Sequence, residues 1–98
     1  MQPTLKQLVR LAELFSVLSD PVRLRILQCI QKKPFCVSTI MRRCALKQAN
    51  TSRHLRILRE ANIVATERRG TSIFYHISDP IVIELCDLVC KADRKKVS

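Results

Sequence analysis

The chain predicts a small, mainly α-helical domain with one two-stranded β-hairpin, in the order α-α-α-α-β-β-α. Three observations predict it. Ser19-Asp20-Pro21 and Ser78-Asp79-Pro80 each set a capping Asp before a Pro suited to the first helical position, so a helix starts at both places. Apolar residues recur at helical spacing at both ends of the chain. Two alternating runs, residues 63–68 and Ser72–Ile77, flank the only glycine, Gly70, and Arg69-Gly70-Thr71 forms the turn between them.

The elements follow in order. The first helix is expected over residues 4–18. Its stripe of Leu8, Leu11, Phe15 and Leu18 is widened by Leu14 and Val17 beyond the face a single contact covers. The second is expected over residues 21–31, because Pro34 after Lys32-Lys33 disfavours helix before it. The third and fourth fall at Val37–Cys44 and Gln48–Glu60. Only Ala45-Leu46-Lys47 separates them, the short turn of a helix-turn-helix. The last helix runs from residue 80 to about 92. It carries one stripe of Val82, Cys86, Val89 and Cys90 and another of Ile81, Leu85, Leu88 and Ala92. Both terminal helices need two covering surfaces, so a homodimer joined through them is expected, with two-fold symmetry.

Length and charge bound the function. At 98 residues one domain, 1–98, is expected, small enough to lean on a second copy for stability. Repeats, low-complexity stretches and internal linkers are absent from the sequence. The basic tail, residues 91–98 with Arg94, Lys95 and Lys96, is expected to fray and to add phosphate attraction. Net charge is +10, and six of those charges come from residues 41–70, where eight Lys or Arg face only Glu60 and Glu67. A clustered basic face suits a polyanion. No apolar run of membrane-spanning length occurs, and the opening segment MQPTLKQLVRLAELF is amphipathic rather than a signal peptide, so a cytoplasmic protein is expected.

The fourth helix and the hairpin carry the polar groups a nucleic-acid reader needs. Thr51, Leu55 and Leu58 share an inward face, whereas Asn50, Arg53, Ile57 and Glu60 point away, with His54 and Arg56 on the flanks. Ile57 suits an exposed face poorly. Gln48, Asn50, Thr51, Ser52, Arg53, His54 and Arg56 are the candidate DNA-contacting residues of the helix. The N-terminal part of the second helix of such a pair meets base edges in a major groove. Arg there can bond guanine, and Gln or Asn adenine. Arg68 and Arg69 at the hairpin tip would follow the backbone or a narrow minor groove.

Three segments carry a family resemblance. They are Leu18-Ser19-Asp20-Pro21-Val22-Arg23-Leu24-Arg25-Ile26-Leu27, then Thr51-Ser52-Arg53-His54-Leu55-Arg56-Ile57-Leu58-Arg59-Glu60-Ala61-Asn62-Ile63-Val64, then Arg69-Gly70 with Phe74-Tyr75-His76-Ile77. In this order and spacing the chain, from about Leu8 to Cys90, resembles the ArsR/SmtB family of winged-helix repressors that respond to metals or sulfur species. The resemblance implies that the fourth helix is the recognition helix, the hairpin is the wing, and the terminal helices form the dimer. The implied partner is a pseudo-palindromic double-stranded DNA operator.

The effector is expected among the five cysteines, which in a cytosolic chain are reduced thiols, metal ligands or redox sensors rather than a disulfide framework. The family's arsenic-sensing pattern is Cys-Val-Cys-Asp-Leu. Here Cys36-Val37-Ser38-Thr39-Ile40 retains only the first thiol. The family's zinc, cobalt and nickel sensors use Asp and His on the last helix. Here Asp79 is followed by no His. Cys86 and Cys90 share one helix face, and Cys29 lies on the second helix. Cys29 with Cys86 or Cys90 resembles the pairing of sulfide- and redox-responsive branches, although Cys29 is displaced by about one residue and Cys90 lies about one turn early. A soft ion such as As(III), Cu(I), Cd(II) or Pb(II) on Cys36, Cys86 or Cys90 is the alternative, because soft ions favour thiolates. Plain core packing is a third reading of these cysteines, and the expected one for Cys44.

The function expected is therefore a dimeric DNA-binding repressor released by an effector at thiols, with no resident cofactor assigned. A constitutive nucleic-acid binder is the competing class. An enzyme is not expected, since there is no phosphate-cradling loop, carboxylate pair or nucleophile–base–orienter set.

Overall fold

The computed structural model describes the backbone of residues 1–97 and the side chains of residues 1–92. The elements are α1 (Leu5–Leu18), α2 (Pro21–Ile30), β1 (Phe35–Cys36), α3 (Val37–Cys44), α4 (Gln48–Glu60), β2 (Val64–Arg69), β3 (Ser72–Ile77) and α5 (Pro80–Val97). Five helices and the hairpin thus appear where expected. Several details differ: α1 starts at Leu5, α2 ends at Ile30, and β2 runs one residue later than expected, over Val64–Arg69. A third strand is present, the turn tightens to Gly70-Thr71, and α5 continues past residue 92 to Val97. The helical backbone there includes most of the basic tail expected to fray; Ser98 and the side chains from residue 93 lie outside the described residues.

Local chemistry explains three of the helix starts and the end of α4. Thr4 and Gln7 form a reciprocal capping box: the Gln7 amide donates to Thr4 Oγ1 at 3.1 Å and the Thr4 amide to Gln7 Oε1 at 2.8 Å. Asp20 Oδ1 accepts the amides of Val22 (2.8 Å) and Arg23 (3.2 Å), and Pro21 fills the first helical position. Asp79 repeats the device on α5 by accepting the Ile81 amide at 2.9 Å. The α4 helix ends as Asn62 turns left-handed at φ 59°, and the Ile63 amide reaches back to the Leu58 carbonyl at 3.0 Å. That turn delivers Ile63 and Val64 into the core as the wing begins.

The sheet is antiparallel with strand order β1-β3-β2. Ala65 pairs with His76 and Arg69 with Ser72 along the hairpin. Gly70, at φ 62°, supplies the left-handed residue that the two-residue turn requires. β1 adds Phe35 opposite Tyr75 and Cys36 opposite Phe74. Two residues cannot display an alternating pattern, so this strand exists only through its long-range partner.

The core joins Ile26, Leu27 and Ile30 of α2 to Ile40 of α3 and to Leu55 and Leu58 of α4. It is closed by Ile63, Val64, Ile77 and Val82. The terminal helices contribute little to it. Leu18 is the only buried residue of α1, while Leu5, Leu8, Val9, Leu11 and Phe15 are exposed, as are Ile81, Leu88 and Val89 of α5. Within one protomer these two apolar faces have no cover. Among the described residues no helix is long and apolar enough to cross a membrane.

Candidate nucleic-acid interface

Helix α4 buries Thr51, Leu55 and Leu58 and exposes Gln48, Ser52, Arg53 and Arg56. Gln48, Ser52 and Arg56 stand one above another at four-residue spacing, so they form a single row on the solvent side. Arg53 flanks that row, and its Nη2 donates to Asn50 Oδ1 at 3.0 Å. Asn50 is half-buried and holds the guanidinium in place. Arg56 approaches Glu60 at 4.0 Å, with both side chains mostly exposed, an arrangement worth little in water and easily exchanged for a phosphate. Ile57 is half-buried, which resolves its poor fit to an exposed face.

Two residues counted among the DNA contacts face inward instead. Thr51 is 0 % exposed, and its hydroxyl donates to the Lys47 carbonyl at 2.9 Å. That carbonyl also accepts the Thr51 amide at 3.0 Å, so the side chain fastens the first turn of α4. His54 is 2 % exposed, and its Nδ1 is buried without a hydrogen-bond partner. Burial lowers the His54 pKa and the charge of Asp20 opposes it, while Arg53 and Arg23 add to the lowering. Tertiary packing removes both side chains from the surface, His54 beside Asp20 and Arg23 at the start of α2, which spacing along α4 alone does not reveal for a flank position.

The hairpin tip extends the basic surface. Arg68 and Arg69 are exposed. The Arg69 guanidinium lies over the Phe74 ring at 4.6 Å to its centroid and its Nε bonds Glu67, so it is held beside the tip rather than free. Glu67 is correspondingly held below the ordinary carboxylate range, by that hydrogen bond first and by the Arg69 charge second.

The thiols separate into three environments. Cys36 occupies the N-cap position of α3 without a side-chain bond to its amides, and the hydroxyls of Ser38 and Thr39 lie 3.3 and 3.4 Å from its sulfur. Those hydroxyls, Ser38 first, hold its pKa at about 7. A Cys two and three residues before Ser and Thr at a helix start is a signal the sequence carries beyond its match to the arsenic pattern. Cys86 and Cys90 are half-buried neighbours on α5; burial raises the Cys86 pKa, and the adjacent charges of Cys90 and Asp87 add to it. Cys29 lines a shallow pocket of about 330 Å3 with Arg25, Gln28, Arg43 and Cys44. Its closest sulfur-bearing neighbour there is Cys44 of α3, which the sequence assigned to packing alone. Among the described residues no three His, Cys, Asp or Glu side chains gather as a metal site.

Three core helices, a solvent-facing fourth-helix row rich in Arg and amide groups, and a basic antiparallel hairpin behind it define a winged helix-turn-helix protein. Comparison with known proteins places it further. A helix-turn-helix domain model matches residues 18–67. The chain is 33% identical over 82 residues to a transcriptional repressor SmtB homolog of Synechocystis, covering 84% of this chain and 62% of that protein's length. It is 39% identical over 79 residues to an uncharacterized HTH-type transcriptional regulator of Methanocaldococcus jannaschii, covering 80% of this chain and 89% of that one. Among solved structures, the transcriptional repressor BigR from Xylella fastidiosa shares the fold with a TM-score of 0.82 at 29% identity, covering 89% of each chain. The chain belongs to the ArsR/SmtB family of winged helix-turn-helix transcriptional regulators. Its relatives are regulators rather than enzymes.

Proposed function

We propose that this chain is a cytoplasmic, homodimeric transcriptional repressor whose operator affinity is set by the state of its cysteine thiols. The observation that carries the DNA reading is the exposed row of Gln48, Ser52 and Arg56 with Arg53 beside it, continued by Arg68 and Arg69. In the complex α4 lies in a major groove, where Gln48 and Arg53 meet base edges and Ser52 and Arg56 meet phosphates. The wing arginines follow the adjacent backbone. Two copies, joined by the exposed apolar faces of α1 and α5, read the two halves of a pseudo-palindrome.

The effector reading rests on five reduced thiols in one small domain, with Cys29, Cys86 and Cys90 as the sulfur- or redox-responsive group. Release requires the modified dimer to bind DNA less well than the reduced one, and nothing else. A soft ion such as As(III), Cu(I) or Cd(II) is a second reading. The acidic Cys36 thiol favours it, because the thiolate is the ligating form. Its remaining thiolates would come from the partner protomer.

Fluorescence anisotropy against the protein's own upstream DNA tests both. Reduced, metal-free protein is expected to bind, and an organic tetrasulfide to release it. Equal binding in both states, with release by As(III) or Cu(I), selects the metal reading. Equal binding under every treatment leaves a constitutive regulator.

A further inference from the structure

Cys29 and Cys44 meet on one side of the helix-turn-helix. Cys29 is half-buried on the third turn of α2; Cys44 is the last residue of α3 and is 3 % exposed. Both line the shallow pocket that Arg25 and Arg43 flank, and the Cys44 thiol donates toward the Arg25 carbonyl at 3.9 Å. The two arginines are exposed cations beside the thiols and give the pocket mouth a positive field.

We propose that Cys29 and Cys44 form a dithiol switch, which an anionic low-molecular-weight disulfide oxidises to an α2–α3 disulfide that weakens DNA binding. This deepens the thiol-control reading above and rests on it. The Cys29 thiolate attacks the disulfide RSSR, forming Cys29–S–S–R and releasing RS⁻, which takes up a proton. Cys44 then loses its proton and attacks the Cys29 sulfur, displacing the second RS⁻. Two protein thiols are oxidised to one disulfide, and RSSR is reduced to two RSH. The order follows accessibility: Cys29 is open to the pocket and Cys44 is enclosed. Burial, and next the charge and hydrogen bond of Cys29, also push the Cys44 thiol up, with Arg25 opposing, so Cys44 suits the second step.

The bond has a direct route to DNA. Closing it draws the sulfurs from nonbonded approach to about 2.05 Å. Cys44 closes α3, and Ala45-Leu46-Lys47 then leads straight into the recognition helix. Ala45 holds the left-handed conformation at φ 54°, and the Leu46 amide bonds the Met41 carbonyl at 3.0 Å, so this turn is fixed rather than slack. A pull on the end of α3 therefore shifts the N-terminus of α4, where Gln48 and Arg53 stand.

The test treats the purified dimer with glutathione disulfide and, in parallel, with the cationic disulfide cystamine. Peptide mapping should recover the Cys29–Cys44 crosslink, with DNA affinity falling about 10-fold. Glutathione disulfide should react about 10-fold faster than cystamine at low salt, a preference lost in Arg25→Ala/Arg43→Ala. Cys29→Ser should bind DNA normally and resist release, and Cys44→Ser should stall with glutathione on Cys29. Mapping on wild-type protein needs no variant to fold. DNA release with the crosslink found at other cysteines overturns this site while leaving thiol control standing. A Cys29–Cys44 crosslink with unchanged affinity overturns the coupling. Retention of DNA under glutathione disulfide and tetrasulfide alike removes thiol control itself, and the proposal with it.

Discussion

The Thr51 hydroxyl donates a 2.9 Å hydrogen bond to the carbonyl of Lys47, four residues earlier, from a position closed to solvent. A residue with the chemistry of a phosphate ligand is thereby spent on fixing the helix that carries the ligands. Thr51→Ala removes a methyl group and a hydrogen bond from the interior. It should cost about 1–2 kcal/mol in urea unfolding. Base preference at the operator should stay as in the wild type. A changed preference with unchanged stability would restore Thr51 to the DNA surface.

His54 makes stability depend on pH. Its folded pKa lies below the ordinary imidazole range, chiefly through burial. As pH falls through about 6.5 the unfolded chain takes up a proton that the folded protein still refuses, so stability declines. The decline ends once the pH is below the folded pKa as well. Urea titrations of wild type and His54→Leu between pH 8 and 5 should show a steeper loss in the wild type. Parallel curves would contradict this assignment.

The exposed arginines separate positioning from reading. Removing Arg68 and Arg69 together should weaken binding to all sequences alike. Each phosphate neutralisation lost should flatten the log K against log salt slope by about 0.9. Arg53→Ala should instead lose about 1–3 kcal/mol at one base pair and relax preference there. A sequence-independent effect of Arg53→Ala would mean that it meets phosphate.

Apolar faces on α1 and α5 predict where the dimer forms. Phe15 and Leu88 are 52 % and 61 % exposed in the protomer. Phe15→Glu or Leu88→Glu should yield a folded monomer in sedimentation equilibrium. Operator affinity should fall about 100-fold as the second half-site is lost. A dimer that persists in both variants would place the interface elsewhere.

Cys36 should be the most readily alkylated thiol near neutrality. Its iodoacetamide rate should rise with a midpoint of about pH 7. Ser38→Ala removes the largest lowering influence and should move that midpoint upward. An unshifted midpoint would assign the effect to the helix start alone.

Helix positions, the hairpin, the capping aspartates and the basic face were all legible in the linear chain, because each follows from spacing or from interactions only a few residues apart. The Asp20 cap and the Gly70 turn need nothing from elsewhere in the protein. Which donors of α4 reach solvent was legible only in part. Periodicity turned Thr51, Leu55 and Leu58 inward, but His54 lies at the edge of that face, and its burial depends on where α2 packs. Strand β1 was invisible, since Phe35 and Cys36 become a strand only when Tyr75 and Phe74 arrive beside them. The cysteines show the same division. Their number and their helices are local facts, whereas Cys29 and Cys44, on different helices, become neighbours through the packing of α2 against α3. Local order is written in short-range hydrogen bonding and in the period of apolar residues. The pairing of distant side chains is set by how helices pack, and one helical position of rotation, about 100°, is enough to turn Cys29 toward a different partner.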